Sequence, residues 1–309
     1  MQFGLVQSPS DPRDWIYSAK VDIPVLPRQF LRTEFPVGKQ LKGDCVGWSG
    51  VGVKEVQENT SFYRRHKFNA RFIYDECKKI DGMPGQEGTH FRALMKVLQS
   101  LGAAMDSTYF SYDSQTAAGN AVYEEAARFK VSNYAKIQTL DEIKAAIFQQ
   151  GAAAMGVLVC ENFVSNEGEV ITAPEGRILG LHAITATGWS DELRALRIRN
   201  SWGSEWKSNG YAWLPYNLLS WRSDIGISFV FEAWSTVDLP TQIQPASKIE
   251  LWEGKDTAVV DGVMVNVDQS VMIDPQTNRM VAPARFIAEM AGYVVVWDGD
   301  QRKAVFTRR

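Results

Sequence analysis

The chain has 309 residues, of which 45% are apolar and 22% charged, with a formal net charge of −3. That length suits two domains with separate cores, and the composition excludes wholesale disorder. The charge balance gives no electrostatic case for a nucleic-acid partner or an acidic membrane surface. The longest run of small apolar residues, 151–160 (GAAAMGVLVC), is half the length of a membrane span, so no membrane insertion is expected.

Residues 1–40 are proline-rich and aperiodic and read as an extended arm. The opening MQFGLVQSPSDPRDW has no charged start followed by an apolar stretch. The expectation is a chain without a secretory signal, cytoplasmic at synthesis. Trp48, Val51 and Val56 then recur at helical spacing, although Gly47, Gly50 and Gly52 make a poor isolated helix. A second helix is predicted over 70–80, with Phe72, Ile73, Cys77 and Ile80 on one face. A third is predicted over 90–101, stopped by Gly102. From residue 152 onward the period changes, and MGVLV, HAITATGW and LRALRIRN read as strands. Helices first and strands afterward argue for an α+β class.

The segment 240–247 (LPTQIQPA begins at 239) is polar and proline-interrupted and is expected to link two domains, 1–240 and 248–309. In the second, a hairpin is predicted around Asp261-Gly262, a short helix over 283–290, and a second hairpin in VVVWDGDQRKAVF. Its expected core is Val259, Val263, Val265, Phe286, Ile287, Val295 and Trp297.

Three cysteines without a C-x-x-C pair, and three histidines, make neither a disulfide framework nor a zinc cluster, so no cofactor is expected. Cys45, in GDCVGWSG, falls where the first helix begins. There the backbone dipole favours a thiolate, as a nucleophile requires, whereas the ordinary fate of a cysteine is to be a small buried hydrophobe. Cys77 and Cys160 fit that ordinary fate, and His66 and His90 fit structural or surface roles. His182 opens one strand and Asn200 ends the next. A hairpin centred near Asp191 would set the two opposite each other, with the asparagine carbonyl holding one ring nitrogen and leaving the other for a thiol.

The segment NSWGSEWKSNGYAWL, 200–214, resembles the asparagine signature of papain-like cysteine peptidases. HAITATGW is similar to that family's histidine strand, and GDCVGWSG to its nucleophile segment. The resemblance covers roughly residues 10–235. It implies a papain-like fold, with a helical half and an antiparallel β-sheet or barrel half, that cuts protein or peptide substrates. By the same resemblance Cys45 is the nucleophile, His182 its base, Asn200 the base's orienter, and Trp202 the shield over the His182–Asn200 bond. The pair Cys45–His182 is then expected as thiolate and imidazolium near neutral pH. The family's oxyanion-hole glutamine stands six residues before the cysteine. Here Lys39 holds that position and Gln40 stands five before, so Gln40 is the expected donor. Val46, Lys207 and Lys42 are further departures, which point to a divergent prokaryotic or viral branch. With 44 residues before Cys45, no inhibitory propeptide domain is expected.

Two alternatives remain open at this level: a catalytically weak or retired papain fold serving as an interaction protein, and a Cys-His hydrolase acting on cell-wall peptides. The segment 248–308 resembles the small domain named after the N-terminus of copper amine oxidases. That implies an α+β module that binds a surface or protein partner; the final location stays open, and release or association with a virion would reconcile such a module with a chain expected to lack a secretory signal. No histidine follows His182, so copper is not implied.

Overall fold

The computed structural model describes residues 3–12, 14–17, 25–58, 66–106, 119–165, 167–223, 226–239, 248–260, 263–267, 270–277, 279–282, 284–290, 293–298 and 303–308. These divide into two compact units, one reaching Leu239 and one beyond it. The expected linker at 240–247 lies outside the described residues.

The first unit opens with the short strand β1 (Gln29–Leu31) and three helices, α1 (Cys45–Glu58), α2 (Ala70–Ile80) and α3 (Phe91–Ser100). Helix α1 forms despite its glycines because tertiary packing replaces propensity: every residue in it except Trp48 is buried. At Gly52 the close approach is to Thr185, whose side chain an added methyl group would strike. α2 starts at Asn69, whose side chain accepts from the Phe72 N–H at 3.0 Å. α3 starts at His90, whose Nδ1 accepts from the Ala93 N–H at 3.1 Å.

Helix α4 (Asn120–Ala126), strand β2 (Val131–Lys136) and helix α5 (Leu140–Gln150) follow. α5 is launched by a capping box in which Thr139 and Glu142 satisfy each other's backbone N–H groups. The rest is sheet: β3 (Ala153–Cys160), β4 (Ile178–Ser190), β5 (Ala195–Arg199), β6 (Tyr211–Pro215) and β7 (Val230–Asp238). Among the described residues they form one antiparallel sheet in the order β2-β7-β3-β4-β5-β6, with β1 also paired to β4. α1 packs on β4 and is pinned there by two bonds: Ser49 Oγ donates to the Ile184 carbonyl at 2.9 Å, and Thr185 Oγ1 donates to the Ser49 carbonyl at 3.2 Å. One apolar core lies among the helices and a second on the sheet, around Met155, Trp189, Leu196 and Trp206. The class is α+β, as the order of helices and strands predicts.

The second unit contains β8 (Ile249–Leu251), β9 (Thr257–Val260), β10 (Val263–Asn266), β11 (Met272–Asp274), β12 (Arg279–Val281), α6 (Ala284–Met290), β13 (Tyr293–Asp298) and β14 (Lys303–Arg308). β9 and β10 pair antiparallel on either side of 261–262, and β13 pairs with β14, so both expected hairpins are present. The core differs from the expected one. It gathers Ala258, Val260, Val267 and Phe286, while Val259 is half-buried and Ile287 exposed. The strand's inward face is the one carrying Ala258 and Val260, one residue out of phase with the expected set. The side chains of Val263, Val265, Val295 and Trp297 lie outside what the structure describes. No helix among the described residues is long and apolar enough to cross a membrane.

Candidate active site

The first residue of α1 is Cys45, fully buried. Its Sγ accepts backbone N–H groups of Ala183, Gly4 and Val46. Ala183 follows His182 on β4, so the thiol lies against the backbone of the histidine strand. His182 is itself fully buried in β4, paired across to Val157 of β3.

His182 Nε2 and Asn200 Oδ1 are 2.7 Å apart. The Ser201 N–H also donates to Asn200 Oδ1, at 2.8 Å. An atom that accepts a backbone N–H is the amide oxygen, which fixes the orientation of the asparagine. The histidine nitrogen facing that oxygen must then carry the proton. The tautomer is therefore Nε2–H, with Nδ1 bare. Nδ1 is buried and has no hydrogen-bond partner among the described residues.

The ladder differs in register from the sequence expectation. β4 and β5 pair Thr185 with Arg199, and a bulge between Ala186 and Gly188 shifts the register. Extended by one pair, Asn200 would fall opposite Ile184, not His182. The offset is two residues, so His182 and Asn200 stay on one face as diagonal neighbours, close enough for their side chains to meet.

Trp202 stacks on His182, with ring centroids 4.7 Å apart and planes at 26°. Phe3 approaches both rings edge-on, at 6.2 Å from His182 and 6.1 Å from Trp202. Gln40 is buried beside the site. Its Oε1 accepts from Ser201 Oγ at 2.6 Å and its Nε2 donates to the Lys42 carbonyl at 3.0 Å. Lys39 is exposed and its backbone bridges to Trp202. Gln40 is thus turned inward and Lys39 outward. Ser201, unremarked as a site residue in the sequence, ties Asn200 by its N–H and Gln40 by its hydroxyl; its position inside the Asn-Ser-Trp-Gly segment was the signal available.

Behind the site, Arg199 pairs with Glu55 of α1 at 2.6 Å, both buried, and donates to the Pro36 carbonyl at 3.1 Å. This fastens the end of β5, next to Asn200, to the helix that carries Cys45. His90 is used as a helix cap, and the His66 ring packs 5.0 Å from that of Phe129. Cys77 and Cys160 are buried in α2 and at the end of β3.

The electrostatics differ from the expected ion pair. Burial pushes the Cys45 thiol up to about 11; the three N–H groups oppose this and the nearby Asp44 carboxylate adds to it. Burial also pushes His182 down to about 4, against the contribution of Asn200. Burial thus disfavours the charged form of both groups, because the N–H groups at Cys45 and the Asn200 amide replace only part of the water each charge would need.

Residues 43–224 match the family model described as papain family cysteine protease. Residues 237–306 match the copper amine oxidase N-terminal domain. No histidine follows His182, and among the described residues no group of three or more His, Cys, Asp or Glu is placed to hold a metal ion. An uncharacterized peptidase C1-like protein of Acanthamoeba polyphaga mimivirus is 27% identical over 167 residues, or 48% of this chain and 53% of that protein. Macrodontain-1 of Ananas macrodontes is 28% identical over 177 residues, or 55% and 79%. The chain thus spans about half the length of the first of these relatives. Among solved structures, xylellain, a cysteine protease from Xylella fastidiosa, has a TM-score of 0.64 at 24% identity, over 76% of this chain and 95% of that one. The bromelain protease from Ananas comosus, in complex with the E64 inhibitor, has 0.53 at 16%, over 69% and 99%. At these identities the two structures establish a shared fold.

Proposed function

This chain belongs to the papain family of cysteine proteases, and from that membership we propose that it is an endopeptidase working through Cys45, His182 and Asn200 by way of a thioester. The observation that carries the reading is the His182–Asn200 bond, which leaves Nδ1 bare on the strand whose next N–H holds the Cys45 sulfur.

His182 Nδ1 takes the thiol proton, and Cys45 Sγ attacks the scissile carbonyl carbon. The carbonyl electrons move to oxygen, and the Cys45 backbone N–H and the Gln40 side-chain amide receive that charge. On collapse the C–N bond breaks, and His182 returns the proton to the leaving amine. Water then attacks the thioester, His182 accepting its proton, and the acid is released as the thiol re-forms. Asn200 keeps the ring in one tautomer throughout, and Trp202 screens their bond from water. Substrates are proteins or peptides, and the unit beyond residue 248 serves attachment to a surface or partner.

The test is substitution with labelling. Cys45→Ala should lose peptide hydrolysis and reaction with an epoxide thiol inhibitor, while Cys77→Ala and Cys160→Ala keep both. Hydrolysis persisting in Cys45→Ala would falsify the assignment.

A further inference from the structure

The loop 81–89 joins α2 to α3 and is built around one ammonium group. Lys78, near the end of α2, donates from Nζ to Asp81 Oδ2 at 2.6 Å, to the Met83 carbonyl at 3.0 Å and to the Gly88 carbonyl at 2.9 Å. All three donors of the ammonium are used inside the loop. Asp81 Oδ1 accepts the Met83 N–H at 2.8 Å, and the Asp81 carbonyl meets His90 Nε2 at 3.4 Å across the base of the loop. The Asp81 side chain has no exposure, so the ammonium is also the counter-charge of a buried carboxylate.

Tyr74 lies one turn before Lys78, on the same face of α2. Its Oη accepts the Gly88 N–H at 3.0 Å. Both backbone groups of Gly88 are thus held by side chains of α2. The peptide joining Gly88 to Thr89 is trans, so its N–H points away from its carbonyl. With that carbonyl on Lys78, the Thr89 N–H is turned toward the nucleophile. There it donates to the Gly4 carbonyl at 2.8 Å, and the Gly4 N–H meets the Cys45 sulfur. A methyl group on Gly43, two residues before Cys45, would lie 3.7 Å from the Gly88 nitrogen. Any peptide whose carbonyl reaches Cys45 therefore passes within reach of the Thr89 N–H.

We propose that Lys78 is a positioning residue for substrate: its ammonium fixes the loop 81–89 and aims the Thr89 N–H at the backbone of a peptide bound beside Cys45. This rests on the assignment of Cys45 as nucleophile. The loop needs such a brace. Three of its glycines, Gly82, Gly85 and Gly88, sit at positive φ, and no disulfide ties it, because all three cysteines are free. A positive charge on the Gly88 carbonyl also polarises the peptide to which it belongs, which strengthens the Thr89 N–H as a donor. One side chain outside the cleft thus sets both the direction and the strength of a bond inside it.

The test uses the full chain and a short fluorogenic peptide. Lys78→Ala should raise KM by about tenfold with kcat little changed, the signature of a lost binding bond. Propylammonium replaces the three carbons and the ammonium that the substitution removes. It should restore KM, while sodium chloride at the same ionic strength should not. Tyr74→Phe, which removes the other bond on Gly88 and leaves the ion pair, should raise KM by a smaller factor, and carries the test if Lys78→Ala melts without cooperativity. Unchanged KM in both variants, with cooperative melts, would overturn the proposal. So would a fall in kcat and in Cys45 alkylation by iodoacetamide with KM unmoved, by showing that the loop supports the nucleophile instead. If no form hydrolyses the peptide, the peptidase reading fails, and hydrogen exchange of the loop amides decides the clamp on its own. Faster exchange in Lys78→Ala, slowed again by propylammonium, supports it, and exchange equal to that of the wild type overturns it.

Discussion

The two ends of helix α1 bury ionisable groups in opposite ways. At its start, Cys45 and His182 are enclosed by N–H groups, an amide and aromatic rings, the carboxylate near the sulfur, Asp44, has the wrong sign to support a thiolate, and burial disfavours the charge on each. Near its end, Lys54 is fully buried yet lies 2.6 Å from Glu58 and 2.5 Å from Asp238, and Glu55 pairs with Arg199. The difference is the counter-charge. A buried charge survives where an opposite one is within hydrogen-bond reach, and elsewhere the group gives it up. Even beside Lys54, burial raises the Asp238 carboxyl above its ordinary range. The far end of α1 is therefore a fixed ionic anchor. The near end has no such partner for either group, and burial there works against charge separation.

Breaking the anchor should have the largest effect. Lys54→Met strands two carboxylates and should cost about 3–5 kcal/mol in urea or thermal melts. Adding Glu58→Gln and Asp238→Asn should recover much of that loss; no recovery would mean that Lys54 acts by packing alone. At the near end, Gln40→Ala should lower kcat by about 10²–10³-fold while Lys39→Ala changes it little, and the reverse pattern would reassign the oxyanion donor.

The neutral pair also predicts a pH window. Burial pushes the His182 pKa down to about 4 in the folded chain against an ordinary 6.5, so the unfolded chain binds the proton first as pH falls. Stability from this group is fully present above about 6.5 and is lost as pH drops toward 4, by as much as about 3 kcal/mol. The difference in stability between the wild type and His182→Gln should shrink across that window; a constant difference would show that His182 is not buried neutral. The smallest effect should come from the middle of the helix, where Ser49→Ala removes the bond to the Ile184 carbonyl and should cost about 1 kcal/mol, with activity retained.

Much of this was legible in the sequence. Cys45 at a helix start, His182 and Asn200 on successive strands, and the change from helical to alternating period all follow from local pattern. The exact pairing did not, because the turn centres between Glu192 and Leu193, where Ser190 pairs with Ala195, and not at Asp191; the bulge between Ala186 and Gly188 takes back one residue of that shift. It was harmless because a two-residue offset keeps the face. The α5 capping box at Thr139 and Glu142 was readable as Thr-x-x-Glu and went unread. The effect of burial on Cys45 and His182 was hidden, since it depends on what surrounds them. Phe3 and Gly4, which touch the His182 ring and the Cys45 sulfur, lie in a stretch without periodicity, and their fit resides in a backbone N–H and in the missing side chain of Gly4, features that hydrophobic pattern does not register.

Ser201 couples two alignments that would otherwise be set separately. Its N–H holds the Asn200 oxygen and its hydroxyl holds Gln40, so one residue sets both the lean of the imidazole and the seat of the amide beside it. A displacement there would shift both together, and Ser201→Ala, which keeps the N–H and loses the hydroxyl, separates them.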